Sequence, residues 1–446
     1  MDTAITRTLG SGAATTIWTL SFWCKKAASG SYQRFFTCNG TGDVYFRFSD
    51  TETMQLSTGG SDQGILNTNR FFRDPAAWYH IVIRYDSTEV SANDRFRLYI
   101  NGVDERDVGG YSTSTMPGSS QTDNINLSGN VHRIGGLTGQ YFGGEMSHMH
   151  LCIGYSYAPT EFGEVDSTSG VWKIKTSPSV SYGTNGFFMK FEDRANLDLD
   201  SSPNANTFAT AGTLTATYDN PSNNFCTINP LDNFRAGSTL SNGNTTVATS
   251  LSSYTSNTST LGVNAGKWYY EFKNKGASGT NQSRCGWVAK QVTSLADQAP
   301  GSLDPSVGVQ MNDGQAVVNG SSSAYGSATA EGNLVRCAID IDNNKAWFGN
   351  SAGWFDSGDP AAGTNAITIT APDSTTSAMG VYTPSYGDNH DGETGYIGEF
   401  NFGNGYFGTT AVSSANADDA GIGAFEYEPP TGFYALCTKN IKAYGG

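Results

Sequence analysis

The sequence predicts an all-β protein built from two β-sandwiches in tandem, and three observations support this fold class. Short runs of aromatic and β-branched residues recur along the chain, and turn-forming residues, including 54 glycines, separate them. No segment has a convincing helical period, although one helical turn is expected near residues 159–165. A chain of 446 residues also exceeds the usual size of a single core, so we expect two domains.

The first series of predicted strands begins at residues 16–24 (TIWTLSFWC), where large side chains alternate on both faces. Such a run is typical of a strand that is covered on both sides. The following strands are expected at residues 78–85 (WYHIVIRY), 95–101 (RFRLYIN) and 145–155 (EMSHMHLCIGY). Asn101 and Gly102 form the Asn-Gly pair that favours a type I′ hairpin turn.

A stretch rich in Asn and Pro, residues 219–230 (DNPSNNFCTINP), separates this series from a second one. The strands of the second series are expected at residues 267–273 (KWYYEFK), 335–342 (VRCAIDID), 345–349 (KAWFG) and 397–402 (IGEFNF). Residues 342–344 (DNN) predict a tight hairpin between two of them. We therefore expect domains at residues 1–218 and 219–446.

Charge and cysteine usage exclude several classes of partner. The net charge of -15 argues against nucleic acid and against anionic membranes, because phosphate binding depends on Lys and Arg. No run of about 18 apolar residues is present, so we expect no membrane insertion. Residues 1–10 lack the pattern of a secretory signal, and the seven cysteines include no CxxC pair. We expect free, buried thiols and synthesis in a reducing cytoplasm.

Motifs in both halves resemble known β-sandwich families. The first half contains residues 78–82 (WYHIV), 97–102 (RLYING), 142–146 (FGGEM) and 156–160 (SYAPT), which resemble a laminin-G-like domain. The second half contains residues 267–272 (KWYYEF), 336–340 (RCAID), 345–349 (KAWFG) and 353–354 (GW), which resemble a SPRY-like domain. The resemblance implies two tandem concanavalin-like jelly-roll β-sandwiches.

The order of these two jelly rolls is similar to that in structural proteins of tailed phages, especially marine ones. The joins at residues 170–172 (GVW), 182–187 (YGTNGF) and 219–221 (DNP) contribute to this likeness. It implies a non-catalytic virion protein, such as a fibre, a knob, or a decoration of the capsid or tail. Such a protein is made in the host cytoplasm, oligomerises, and contacts other virion proteins and a host surface glycan. The first alternative is a free-standing lectin or other carbohydrate-binding protein.

A glycan-degrading enzyme is the second alternative, because jelly rolls of this kind include β-glucanases. Retaining glycosidases need two carboxyl groups about 5–5.5 Å apart. Glu164 and Asp166 alternate without a further acid nearby, and Glu426 and Glu428 precede two prolines. The GxSxG and HExxH motifs are missing. We therefore expect no catalytic residues and no enzymatic activity.

The best candidate for a ligand-binding surface is the stretch of residues 382–396. Sugar recognition combines exposed aromatic faces with a few directional polar groups. This stretch supplies Tyr382, Tyr386, Asp388, Asn389, His390, Asp391 and Tyr396. Trp354 is a second candidate. Alternatively, Trp354 caps the sandwich and the tyrosines pack the loop, since Tyr and Trp are often partly buried structural residues.

Two loops are candidate calcium sites, and calcium is the only cofactor that we consider. They contain Asp198, Asp200 and Asn204 in the first half, and Asp388, Asp391 and Glu393 in the second. Neither has EF-hand spacing, and turn chemistry explains the same residues. His148 and His150 are two apart on a predicted strand, which gives too few ligands for zinc. His80 is expected to be a hydrogen-bonded core residue.

Overall fold

The computed structural model describes residues 3–40, 43–59, 64–232, 237–249, 254–276, 281–290, 299–375, 378–388 and 395–445. The chain divides into two compact units, residues 1–216 and 217–446. This division lies two residues before the boundary that was expected after residue 218. Nearly all regular structure in both units is antiparallel β-sheet. Within the described residues, no helix is both long and apolar enough to cross a membrane.

The first unit is built from two main sheets. Its described strands are β1 (Ala4–Thr8), β2 (Ile17–Lys26), β3 (Gln33–Asn39), β4 (Val44–Phe48), β5 (Thr53–Ser57), β6 (Ile65–Phe71), β7 (Trp78–Asp86), β8 (Phe96–Ile100), β9 (Val103–Asp104), β10 (Tyr111–Thr115), β11 (Val131–Ile134), β12 (Gly136–Leu137), β13 (Gln140–Tyr141), β14 (Gly144–Ile153), β15 (Gly163–Val165), β16 (Trp172–Ile174), β17 (Phe187–Met189) and β18 (Ala209–Ala211). One sheet has the order β10-β6-β5-β4-β3-β11-β1-β18, with β12 and β13 beside it. The other has the order β17-β14-β2-β7-β8-β9, and β15 pairs with β16.

Strand β2 shows why the sequence of this unit alternates large side chains on both faces. Trp18 and Phe22 point into the core between the two sheets, and both are fully buried. The opposite face of the same sheet is also covered, because Val82 and Cys152 pack against Phe162 in a second cluster. The two-sided burial predicted for this strand is therefore confirmed.

The hairpin predicted at Asn101 and Gly102 joins β8 to β9. Both residues have positive φ, 50° and 82°, as a type I′ turn requires. Glycine is needed at position 102 for a second reason, because a Cβ atom there would lie 2.5 Å from the ring of Trp172. The absence of a Cβ atom at Gly102 thus allows the ring of Trp172 to pack directly on the turn.

The second unit also contains two main sheets. Its described strands are β19 (Thr239–Ser241), β20 (Thr246–Ala248), β21 (Thr255–Thr258), β22 (Lys267–Asn274), β23 (Arg284–Lys290), β24 (Ser306–Gln310), β25 (Ala316–Val318), β26 (Ser321–Ser323), β27 (Leu334–Asp340), β28 (Lys345–Asn350), β29 (Gly353–Trp354), β30 (Ile367–Thr368), β31 (Ala378–Asp388), β32 (Ile397–Asn401), β33 (Tyr406–Phe407), β34 (Thr410–Ala411) and β35 (Tyr434–Ala435). One sheet has the order β19-β20-β32-β22-β27-β28-β29, with β30 and β35 beside it. The other has the order β21-β31-β23-β24-β25-β26, and β33 pairs with β34.

The entry and exit of the second unit lie side by side. Phe225 forms an antiparallel bridge with Cys437, and the amide of Thr438 donates a hydrogen bond of 2.9 Å to the carbonyl of Asn224. Strand β35 adds to β22 in parallel, with Trp268 opposite Tyr434. Residues 434–438 thus contact both the first part of the unit and strand β22.

Short helices occur in both units. They are α1 (Glu105–Val108) and α2 (Thr438–Tyr444), with 3-10 turns at Ala92–Asp94, Asn124–Asn126, Pro159–Glu161 and Phe355–Ser357. The turn expected near residues 159–165 is the 3-10 turn Pro159–Glu161. Helix α2 was not expected from the sequence, because seven residues are too few to show a helical period.

Candidate functional site

The predicted tyrosine surface is wrong for the residues that the structure describes. Tyr382 and Tyr386 have no exposed surface and belong to the core of the second unit. The hydroxyl of Tyr382 donates to the carbonyl of Thr370 at 2.7 Å, and Tyr396 is only 2% exposed. In strand β31 a spacing of four residues places both tyrosines on the same, inward face. These rings pack the sandwich and cannot stack on a ligand.

The acidic end of β31 offers no open ligand cluster in its described part. Asp388 is 1% exposed, and its amide donates to Oγ1 of Thr255 at 3.1 Å. The predicted binding residues Asn389, His390 and Asp391, and the candidate calcium ligand Glu393, lie outside the described residues. Calcium binding at this loop stays a prediction.

At the loop with the predicted calcium ligands Asp198 and Asp200, Asp200 is held by hydrogen bonds within the protein. Both carboxylate oxygens of this buried residue accept N–H donors, from the amides of Phe188, Ser202 and Asn206 and from Nδ2 of Asn206, at 2.8–2.9 Å. Asp198 instead accepts from Oγ1 of Thr210 at 3.1 Å. These four hydrogen bonds show that Asp200 organises a turn, and calcium binding at this loop stays a prediction.

The histidine pair of β14 is separated by a bulge. The register shifts between Ser147 and His150, and His148 has a φ of 47°. Nδ1 of His150 is 3.0 Å from the hydroxyl of Tyr182, and its ring stacks on Phe188 at 3.8 Å. Within the described ranges, no group of three or more His, Cys, Asp or Glu side chains is arranged to hold a metal ion.

Trp354 remains a candidate, because its side chain is only half-buried. The guanidinium carbon of Arg336 lies 4.6 Å from the centre of the Trp354 ring and 5.2 Å from that of Tyr427. Arg336 and Tyr427 are half-buried as well. We call these three residues the Trp-Arg-Tyr stack. An arginine that contacts two aromatic rings is held in place by cation–π attraction.

The position of the stack follows from strand register. A row across the sheet is formed by Asn401, Glu271, Arg336, Gly349 and Trp354, each opposite the next on adjacent strands. Gly349 is required in this row, because a Cβ atom there would come within 2.6 Å of the carbonyl of Gly353 and within 3.1 Å of the indole. A larger residue would push Trp354 away from Arg336.

Arg336 makes no hydrogen bond to a side chain or carbonyl of the described residues, and its Nε is buried without a partner. Burial lowers the pKa of Arg336, while Tyr269, Tyr427 and Glu271 act in the opposite direction. The guanidinium thus keeps donors that are not committed to the described protein groups. Such donors can bind an acceptor oxygen of a ligand.

Two family models match separate parts of the chain. A model of the concanavalin A-like lectin/glucanases superfamily, of the laminin-G type, matches residues 3–154, and a SPRY domain model matches residues 267–355. The chain carries a concanavalin A-like domain followed by a SPRY domain. Arg336 and Trp354 lie within the matched SPRY segment, and Tyr427 follows it.

Solved structures with similarity to this chain include isolated SPRY domains. The SPRY domain of human HERC1 is 13% identical, with 39% of this chain and 96% of that chain covered, at a TM-score of 0.29. A human SPRY domain is 16% identical, with 37% and 94% covered, at 0.27. The TRIM65 PSpry domain is 16% identical, with 40% and 88% covered, at 0.28. No curated protein matches the chain.

Glu271 of the SPRY domain is fully buried and positions the backbone next to the Trp-Arg-Tyr stack. Its carboxylate accepts from the amides of Glu426 and Tyr427 at 2.9 and 2.7 Å, from the hydroxyl of Tyr269 at 3.1 Å and from Nδ2 of Asn401 at 3.1 Å. Burial raises the pKa of Glu271 to about 7. By binding two successive amides, Glu271 fixes the backbone that carries Tyr427.

The acids that were considered for glycoside hydrolysis contact neighbouring residues on the protein surface. Lys173 lies 3.2 Å from Glu164 and 3.5 Å from Asp166 on the hairpin of β15 and β16. Glu426 accepts the amide of Ser413 at 2.7 Å. These carboxylates are engaged with local partners on the surface.

Sequence analysis missed Arg336 and Tyr427. Arg336 precedes Cys337, which points into the core, so alternation alone could have placed the arginine on the outer face of β27. Nothing near Tyr427 in the sequence indicates its partner, because it lies 91 positions after Arg336 and reaches it only through the fold.

Proposed function

We propose that the protein is a non-catalytic phage virion protein, a fibre, knob or decoration, that contacts a host surface glycan through its SPRY domain. The Trp-Arg-Tyr stack is the observation that supports glycan contact. It combines half-buried aromatic surface with a guanidinium whose donors are free of described protein acceptors. Sugar rings present both apolar C–H faces and hydroxyl acceptors, and such a surface matches both.

The role in a virion is supported by the resemblance to tailed-phage structural proteins and by the chemistry of the cysteines. All seven are free and buried, as suits a protein made in a reducing cytoplasm. Oligomerisation and contacts with other virion proteins belong to the same proposal. Two tandem sandwiches provide rigid surfaces for such assembly without any reacting group.

Glycan binding is tested on arrays of bacterial surface polysaccharides, followed by titration of the best ligand. Trp354→Ala and Tyr427→Ala should each weaken binding about tenfold, as expected for aromatic residues central to a binding surface. Tyr444→Ala is the matched control, because this tyrosine of helix α2 is 39% exposed and stacks on Tyr434 of β35, away from the Trp-Arg-Tyr stack. Equal affinity for all three variants and the parent would refute the site.

The virion role is tested by mass spectrometry of purified particles and by the mass of the protein in solution. We expect the chain in the particles and a stable trimer or higher oligomer. A monomer that binds sugar but is missing from particles would instead favour the free-standing lectin. Release of sugar from cell envelopes, abolished by a single carboxylate substitution, would favour the enzyme.

A further inference from the structure

The outer face of the large sheet in the first unit carries two arginines directly opposite each other. Arg34 of β3 is the cross-strand partner of Arg47 in β4. Like charges at directly opposed positions destabilise an antiparallel pair. Both side chains are half-buried, which strengthens the repulsion relative to that in bulk water.

The charges of this pair are not cancelled by ion pairing. Within the described chain, no carboxylate lies within ion-pair distance of either guanidinium, and Asp43 is the acid whose charge acts to raise the pKa of Arg34. Nε of Arg34 and Nη1 of Arg47 donate to the same Oε1 of Gln140, at 2.9 and 3.3 Å. Nε of Arg47 also donates to Gln55 at 2.9 Å. A neutral amide oxygen orients both cations but leaves their charge in place.

Two tyrosines hold the same guanidinium groups. The guanidinium carbon of Arg47 lies 4.2 Å from the ring centre of Tyr32 and 4.7 Å from that of Tyr45. The corresponding distance from Arg34 to Tyr45 is 5.2 Å. The arginine patch is defined here as Tyr32, Arg34, Tyr45, Arg47, Gln55 and Gln140. Cation–π contacts restrict the motion of both arginines, so less entropy is lost when they bind a ligand.

We propose that the arginine patch binds an acidic saccharide, with a carboxylate or sulfate group held between Arg34 and Arg47. Guanidinium groups bind planar or tetrahedral oxyanions through paired hydrogen bonds. A bound anion removes the like-charge repulsion that the free protein retains. Tyr32 and Tyr45 supply ring surface for the sugar, and the glutamine amides supply directional groups.

Nucleic acid fits this surface less well. Binding to a phosphate backbone requires several cations distributed along its path, and the net charge of -15 opposes it. Two adjacent arginines instead suit a single carboxylate or sulfate group, and such a contact needs no row of cations along the rest of the saccharide. The arginine patch lies in the concanavalin A-like domain, so this proposal does not depend on the Trp-Arg-Tyr stack.

The test measures binding of the full chain to polygalacturonate oligosaccharides, to dextran sulfate and to neutral dextran. The parent should bind at least one acidic polymer and not neutral dextran, and the two acidic probes distinguish carboxylate from sulfate recognition. Replacing both Arg34 and Arg47 by Gln should weaken binding at least tenfold. The variant R47K keeps the positive charge but loses the planar guanidinium that can form two parallel hydrogen bonds, so it should bind with intermediate affinity.

A control with the same loss of charge carries Gln at Arg73 and Arg194, two exposed arginines of the same unit. It should bind like the parent. The double Arg34 and Arg47 variant should melt at the same temperature as the parent or higher, because repulsion is removed, and this separates lost binding from lost folding. Unchanged affinity in that variant, no binding of the parent to either acidic polymer, or tighter binding to a DNA oligomer or an acidic peptide would overturn the proposal.

Discussion

Nε1 of Trp172 donates a hydrogen bond of 2.9 Å to Nδ1 of His80, whose ring lies between two indoles. The centre of the imidazole is 4.8 Å from that of Trp23 and 5.9 Å from that of Trp172, and both pairs are stacked. Because Nδ1 accepts, Nε2 carries the proton and donates to Oγ of Ser21 at 2.9 Å. The neutral imidazole thus joins the hairpin of β15 and β16 to the sheet beneath it.

The variant Trp172→Phe should destabilise the first unit by about 1–3 kcal/mol. It keeps most of the aromatic packing but leaves Nδ1 of the buried His80 without a donor. Urea denaturation measures the change in the free energy of unfolding. Val171→Thr, at an exposed position next to it, is the control and should change stability by less than about 0.5 kcal/mol. If Trp172→Phe unfolds at the same urea concentration as the parent, the hydrogen bond from Trp172 to His80 contributes little to stability.

The free energy of unfolding of the first unit should fall with decreasing pH, already above the pH at which exposed carboxylates become protonated. Burial lowers the pKa of His80 to about 3 and that of His132 to about 4, and it also lowers the pKa of His148 and His150. The unfolded chain binds these protons near pH 6.5, so stability falls as pH decreases from about 6.5 to about 4. NMR signals of the His80 and His132 imidazoles in the folded protein should therefore not titrate between pH 7 and 5. Titration near pH 6.5 would contradict the prediction.

Protonation of Asp123 stabilises the folded state over the same pH range, and so opposes the effect of the histidines. Burial raises its pKa to about 7, so the folded state takes up a proton between about pH 7 and 4 that the unfolded state does not. One carboxyl cannot outweigh four histidines, since each contributes at most about 1.4 kcal/mol per pH unit. In Asp123→Asn the stability lost between pH 7 and 4.5 should be larger than in the parent, as measured by urea denaturation at both values.

Removal of calcium should leave the turn around Asp200 unchanged. Asp200→Ala should lower the free energy of unfolding by about 1–3 kcal/mol, because buried amides lose their acceptor. The loss should be equal in calcium and in a chelator. Asp198→Ala, which removes one contact with Thr210, should have a much smaller effect. A calcium-dependent difference between Asp200→Ala and the parent would instead support a calcium site at this loop.

The cysteines should be inert in the native protein. Burial raises the pKa of Cys38 to about 12 and also raises that of Cys24, Cys152 and Cys285. A thiol reagent at pH 8 should therefore modify no cysteine rapidly before unfolding and all seven after it. Ser323→Cys, at an exposed position, should add one fast-reacting thiol. Rapid labelling of the parent would show that a buried cysteine becomes accessible.

Loss of the carboxylate at Glu271 should weaken the second unit. In Glu271→Gln, an NH2 group replaces one of the two carboxylate oxygens that accept hydrogen bonds from backbone amides. One backbone N–H then has no acceptor, so the free energy of unfolding should fall by about 1–3 kcal/mol at pH 8. Glu428→Gln, at an exposed position, is the control. If glycan affinity also falls in Glu271→Gln while Glu428→Gln binds normally, the backbone at Tyr427 is positioned by this carboxylate.

Local sequence patterns predicted the strands well where both faces of a strand are apolar or where a turn has a specific chemistry. Strand β2 and the turn at Asn101 and Gly102 are examples. Alternation also implied that Tyr382 and Tyr386 share a face, but not which face is inward. That depends on the position of β31 between β21 and β23, which is a long-range relation.

The two proposed binding surfaces could not be predicted from the sequence for the same reason. The pairing of Arg34 with Arg47 depends on the register between β3 and β4, which is shifted by one irregularity near Arg34. The contact of Arg336 with Tyr427 requires the final segment of the unit to return to its sheet. Each residue is unremarkable in sequence, and only the neighbour that the fold supplies makes it a candidate.

The bridge between Phe225 and Cys437 determines how the second unit would respond to mechanical force. Because the chain enters and leaves at adjacent backbone positions, tension on its two ends acts first on that contact. The load would separate helix α2 and then β35 from its partner strand β22 before it reached the sandwich interior. A module tethered in this way can be carried on a larger scaffold while its sheets remain unstrained.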